Sequence, residues 1–206
     1  MTKKERAKIV MTELEKIYPE VPIPLNHRNA YELLVAVALS AQTTDKKVNE
    51  VTPKLFSVAP NPEKMAALEE AEIKELIKEI GLSTTKAKNL KIMANQLLER
   101  HNGEVPSNFE DLENLAGVGH KTASVVMSQA FGVPAFPVDT HIHRLMKQWK
   151  LTEGKNVVQT ENDAKKLFPK ETWNKLHLQI IFYGREYSPA RGNQEKDYLT
   201  KMLFEK

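Results

Sequence analysis

The chain has 206 residues with 41% apolar and 28% charged side chains, a balance that supports buried cores and excludes a disordered tail. It contains no cysteine, which excludes disulfides, thiol nucleophiles, zinc ribbons and cysteine-ligated iron–sulfur clusters. The net charge of +3 is unevenly placed. Residues 26–135 carry 12 basic and 14 acidic side chains, residues 1–25 carry 5 and 4, and residues 136–206 carry 13 and 9. The two ends form the positive half, compatible with a polyanionic partner because Lys and Arg release counterions when they neutralise phosphates.

The opening MTKKERAKIVMTELEKIYPE mixes Glu5, Glu13 and Glu15 into its basic residues and lacks the apolar stretch of a signal peptide, so a cytoplasmic location is the default expectation. The longest apolar run, Leu33 to Leu39, has seven residues. A bilayer span needs roughly 20, so no membrane partner is expected.

Helical periodicity dominates, and no Asn-Gly or Asp-Gly hairpin joins alternating β-branched runs. Ile9, Val10, Leu14 and Ile17 mark a helix over 5–17 that breaks at Pro19, Pro22 and Pro24. Asn29 is placed to cap an all-round apolar helix over 31–39, as expected of a central buried element, which stops at SAQTTD. Asn61-Pro62 opens a helical region whose stripe Ile73, Leu76, Ile77, Ile80 ends at Gly81, a residue suited to a left-handed stop, with Leu82 on a loop. From Thr85 the stripe Leu90, Met93, Ala94, Leu97, Leu98 gives another helix, ended by Asn102-Gly103.

Ser107 to Glu110 has capping-box spacing and launches a short helix through Phe109, Leu112 and Leu115. The turn Ala116-Gly117-Val118-Gly119 follows, then a second short helix over 121–130, closed by Gly132 and Pro134. Two short helices around a Gly-x-Gly turn make a hairpin spanning about residues 108–130. After Pro137, Asp139 and Thr140 precede a helix to Trp149, with further helices over 160–168 and 171–184. Gln194 to Glu205 places Tyr198, Leu199, Met202 and Leu203 in a narrow stripe for docking.

LAGVGHKTASVV is the most informative segment. Its two glycines allow backbone N–H groups to approach a phosphate at a helix N-terminus, where anions are favoured. It is not a nucleotide-binding P-loop: His120 rather than Gly precedes Lys121, and a helix rather than a strand comes before. Followed by VDTHIHRL, the segment strongly resembles the helix-hairpin-helix and following Asp of endonuclease III-type DNA glycosylases. LLVAVALSAQTTD, IGLSTTKAKNL, HNGEVP and YGREYSPAR resemble further stretches of that family in the right order, over about residues 30–191.

Lys121 stands in the first turn after the hairpin, at the positive end of a helix dipole, a position that disfavours an ammonium and favours the nucleophilic free amine. The resemblance implies that this amine attacks C1′ of a flipped nucleotide, displaces the base and forms a Schiff base leading to β-elimination. Asp139 is by position a preferred N-cap. The resemblance adds a second role, compatible with the first: to accept the proton of Lys121 or stabilise the cationic sugar.

Extruding a nucleotide leaves a void that side chains must fill. Gln42 and Leu82 look unremarkable alone; by resemblance Gln42 fills the void facing the orphaned base and Leu82 wedges the opposite strand. The backbone of Gly117, Val118 and Gly119 is expected to hold a phosphate, with His120, Thr122 and His141 among the DNA-contacting residues, and the family's hairpin carbonyls also bind a monovalent cation. His141 and His143 are not a metal pair: on a helix two residues apart, their rings point about 200° apart. No metal site is expected.

The departures are specific. Ser188 stands where the family has the first of four cluster cysteines, the others are missing, and the stripe Tyr198 to Leu203 is expected to supply packing instead. Ala116 replaces a usual Pro, and His120 a usual Arg, which gives up charge beside a phosphate. The expectation is an all-α protein of two helical lobes with a DNA-binding cleft between them, residues 25–135 forming the central lobe and residues 1–24 with 136–206 the terminal one. The implied function is a monomeric, cluster-free DNA glycosylase with AP lyase activity that acts on double-stranded DNA with damaged bases or abasic sites, oxidised pyrimidines being the expected lesions. The competitors are a monofunctional glycosylase that uses water, against which Lys121 argues, and a non-catalytic helix-hairpin-helix binder, which leaves Asp139 and SAQTTD unexplained.

Overall fold

The computed structural model describes residues 1–191 and 195–204, in which helices are the only regular secondary structure. It divides into two compact units, Ile23–Gly132 and Met1–Pro22 with Val133–Lys206. Among the described residues no helix is long and apolar enough to cross a membrane.

The first helix, α1 (Lys3–Ile17), belongs to the terminal unit and starts at a capping box in which Thr2 and Glu5 each bond the other's backbone N–H. In the unit Ile23–Gly132, α2 (Ala30–Leu39) is capped by the Asn29 side chain, and Leu33, Leu34, Val35, Ala36 and Leu39 are completely buried. This is the central helix that its all-round apolar sequence requires. Packed on it is α3 (Asp45–Val58), a helix the sequence pattern does not announce because Pro53 lies inside it. Proline removes one i→i−4 bond. Burial of Val48, Val51, Leu55 and Phe56 outweighs that loss, and Pro53 itself faces solvent.

The helical region expected up to Gly81 is two short helices, α4 (Pro62–Ala67), capped by Asn61, and α5 (Glu70–Leu76), separated where Leu68 turns extended at ψ 147°. Ile77 and Ile80 are buried beyond the helix end. The left-handed residue is Leu82, at φ 61°, and not Gly81. The next helix, α6 (Ser83–His101), therefore starts immediately after Leu82, earlier than expected, and stops at Asn102 and Gly103, both left-handed at φ 52° and 78°. Both α4 and α5 pack on α6.

The hairpin's first helix, α7 (Phe109–Glu113), is capped by Asn108 rather than Ser107: Asn108 Oδ1 accepts from the Asp111 N–H at 2.8 Å. Its partner, α8 (His120–Phe131), packs on α7 and α2 and ends at left-handed Gly132.

In the terminal unit α1 is joined by α9 (Thr140–Gln148), α10 (Val157–Leu167), a 3₁₀ turn (Lys170–Thr172), α11 (Trp173–Glu186) and α12 (Tyr198–Phe204). The side chain of Asn156 caps α10 and starts it three residues before the expected position. The core gathers Val10, Leu14, Phe136, Trp149, Tyr183 and Leu199. In α12, Leu199 and Leu203 are buried as the stripe predicts, but Met202 is exposed, because the helix is short and rests on α1 through one edge. Gln194 and Glu205, the ends of the predicted segment that carries this stripe, lie outside the described residues.

Candidate active site and nucleic-acid interface

In the unit Ile23–Gly132, the hairpin turn is held on α6. The Gln96 side chain accepts from the Ala116 N–H at 2.7 Å and donates to the Asn114 carbonyl at 3.3 Å. Gly117 lies against Asn89, whose Cβ would stand 3.1 Å from an added Cβ, and its φ is +76°. Both the close approach and the left-handed backbone require glycine there. Gln96 and Asn89 were not singled out from the sequence, since polar residues on a helix carry no signal until the turn they hold is placed.

The Val118 N–H donates to the Leu115 carbonyl at 3.1 Å, so of the three hairpin residues expected to hold a phosphate, this one's donor is used within the turn. Gly119 is the N-cap of α8 with no side-chain capping bond, and a Cβ there would meet no protein atom within 4 Å. The start of α8 therefore presents an uncapped helix terminus on an open surface, which suits an anion. His120, the first residue of α8, stacks on Phe109 and sets Nδ1 2.6 Å from Glu113 Oε1. That carboxylate, unremarked in sequence, lowers the local positive charge further than the missing Arg alone. Lys121 follows, exposed, with Thr122 half-buried behind it.

The loops bearing Gln42 and Leu82 adjoin one another. A Cβ on Gly81 would lie 4.0 Å from both the Gln42 carbonyl oxygen and Thr43 Oγ1. Gln42 is exposed, Leu82 is 57% exposed, and both are left-handed at φ 56° and 61°. A leucine more than half exposed and held in that conformation costs about 1–2 kcal/mol of backbone strain, the kind of feature that concentrates at functional sites.

In the terminal unit Asp139 caps α9, its Oδ1 accepting from the Ile142 N–H at 2.8 Å. Buried Val138 and Ile142 on either side fix its backbone. His141 packs against Gly184, where a Cβ would stand 3.1 Å from its Nδ1, whereas His143 Nδ1 lies 2.8 Å from Thr160 Oγ1. The two rings have different surroundings, and among the described residues no group of three His, Asp or Glu side chains could hold a metal ion.

At Ser188 the residues do not fit a thiolate-held cluster. The side chain is buried, its Oγ accepts from Arg144 Nη1 at 3.2 Å, and Arg144 Nη2 bonds its carbonyl. The segment beyond is secured by Asp197, whose carboxylate accepts from Tyr183 Oη, Gln148 Nε2 and Thr200.

Comparison with known proteins agrees over most of the length. Endonuclease III of Haemophilus influenzae is 44% identical over 191 residues, which are 93% of this chain and 90% of that protein. A structure of a trapped endonuclease III–DNA covalent intermediate superposes with a TM-score of 0.91 at 40% identity, covering 94% of this chain and 92% of the other. A non-covalent endonuclease III–DNA complex gives 0.92 at 39%, covering 97% and 95%. Residues 35–170, from α2 through the hairpin to the 3₁₀ turn, match the family model described as HhH-GPD superfamily base excision DNA repair protein, and the chain belongs to that family.

Proposed function

We propose that the protein is a base-excision DNA glycosylase with AP lyase activity that removes damaged pyrimidines, oxidised ones foremost, from duplex DNA in the cytoplasm. The observation that carries this is Lys121: an exposed amine in the first turn of an uncapped helix, directly after the hairpin. The similarity to an endonuclease III trapped as a covalent DNA intermediate supports an amine nucleophile.

The free Lys121 amine forms a bond to C1′ while the glycosidic bond breaks, its electron pair leaving with the base, which takes up a proton. The attached nitrogen then gives up a proton, O4′ takes one up as the ring opens, and a protonated Schiff base results. Removal of a C2′ proton then expels the 3′ phosphate. Asp139 spends one carboxylate oxygen on its cap, leaving Oδ2 to accept a proton or offset the cationic sugar. The N–H groups at the start of α8, with Gly117 and Gly119, would hold a phosphate, His120, Thr122 and His141 would lie along the strand, and Gln42 and Leu82 would occupy the space vacated by the extruded nucleotide. The turn's carbonyls are hard oxygen donors of the kind a monovalent cation takes.

Borohydride trapping on a duplex with an abasic site tests the assignment. A covalent adduct that is lost in Lys121→Gln supports the lyase. Base release without an adduct indicates a glycosylase that uses water, and neither activity with retained binding indicates a non-catalytic module.

A further inference from the structure

Lys86 belongs to the IGLSTTKAKNL stretch, and none of the chemistry above uses it. It is 8% exposed, yet the partners of its ammonium are neutral oxygens: Nζ donates to the Leu39 carbonyl at 3.0 Å, the Ala41 carbonyl at 2.6 Å and Thr43 Oγ1 at 3.2 Å. An ammonium has three donors, and these three acceptors account for them. Leu39 ends α2, where the helix dipole is negative. Ala41 and Thr43 are the residues on either side of Gln42. The backbone N–H of Lys86 donates to the Leu82 carbonyl at 2.9 Å, the first bond of α6. One residue thus grips both loops, by its side chain around Gln42 and by its backbone at Leu82.

A left-handed conformation at a non-glycine residue persists only where the surroundings over-determine it. Here two such residues, Gln42 and Leu82, stand on adjoining loops, and Lys86 bonds the neighbours of Gln42 through its side chain and Leu82 through its backbone. Burial pushes the Lys86 amine below the ordinary lysine value. A cation kept in so unfavourable a place has a geometric task, because a methionine or leucine would fill the same space without desolvating a charge.

We propose that Lys86 is a positioning residue for nucleotide extrusion, holding Gln42 and Leu82 in the geometry that fills the emptied duplex. This rests on the glycosylase function proposed above. Base extrusion and excision depend on that geometry, whereas attack on an abasic sugar, where no base need be unstacked, depends on it far less.

The test compares Lys86→Met with the unsubstituted protein in three measurements: single-turnover excision from a duplex carrying one oxidised pyrimidine, fluorescence of 2-aminopurine placed opposite the lesion, and borohydride trapping on an abasic duplex. The expected result is excision slower by about ten- to a hundredfold, a matching loss of the unstacking signal, and trapping within about threefold of normal. In a Gln42→Ala background the same substitution should have a much smaller effect, since the group that it positions is gone. Should Lys86→Met fail to fold, Thr43→Val removes one acceptor with little change of bulk and should give a smaller loss of excision in the same direction. Unchanged excision in a folded variant, equal losses in excision and trapping, or full additivity with Gln42→Ala overturns the positioning role alone. An unsubstituted protein that forms no adduct overturns the lyase function, and this inference with it.

Discussion

Asp and Asn are about equally good helix N-caps, so Asp139→Asn separates the two tasks of that residue. The amide oxygen can still accept from the Ile142 N–H, and thermal stability should change by well under about 1 kcal/mol. The charge is lost. Excision rates should fall by about 10²- to 10⁴-fold if the carboxylate handles a proton or offsets the cationic sugar, and steady-state kinetics beside a melting curve will tell the two apart. At His120 the ring is already engaged with Glu113 and Phe109, so its contribution to phosphate binding is smaller than a free cation's in the same place.

At the scale of elements, α3 carries a proline that its packing tolerates. Pro53 is exposed within the helix, so Pro53→Ala restores a backbone donor without disturbing the core and should raise stability by about 2 kcal/mol in denaturant unfolding, less whatever the more flexible unfolded chain takes back. The phenol of Tyr183 on α11 is pushed well above its ordinary value, first by burial and then by its bond to Asp197. In the unfolded chain the same phenol ionises near about pH 10. The folded state therefore retains the proton longer, and stability present below that pH is lost as pH rises above it. Tyr183→Phe should lower stability at neutral pH by about 1–2 kcal/mol through the lost hydrogen bond, and should flatten the decline in alkaline melting temperatures.

At the scale of the whole molecule, the described residues around Ser188 and Asp197, where the resemblance implied a cluster, are held by ordinary side-chain hydrogen bonds. Arg144 holds Ser188, and Asp197 gathers Tyr183, Gln148 and Thr200, while Trp149 Nε1 donates to Thr200 at 3.1 Å. Asp197→Ala leaves several of these groups without partners and should destabilise the protein by about 2–4 kcal/mol, measured by chemical unfolding. Such loss from one carboxylate would mark it as the centre that secures α12, a role that requires no metal. Arg6 adds a second tie between α1 and this region, donating to the Trp149 and Lys150 carbonyls at 3.0 and 2.8 Å.

Periodicity and caps made most helices legible in sequence. Asn29, Asn61, Asp139 and the pair Asn102-Gly103 act where their chemistry predicts, because capping is a local matter of one side chain and the nearest N–H groups. The hairpin motif and the family were also legible, since Gly-x-Gly before a lysine is a contiguous pattern. Less legible were α3, hidden by Pro53, and the break between α4 and α5, where buried Ile77 continued a helical stripe beyond the helix. Gly81 drew the left-handed position that Leu82 occupies, since glycine is the cheap residue for that conformation and nothing local announces a strained leucine. The roles of Lys86, Gln96, Asn89 and Asp197 were invisible for a common reason. Each acts on backbone or side chains distant in sequence, and a lysine, asparagine or glutamine on a helix looks the same whether it meets water or a loop 45 residues away. Local pattern determined most of the helices, the hairpin and the family; only the tertiary structure decided which polar side chains are buried, because burial and partnership arise from contacts that the order of residues does not display.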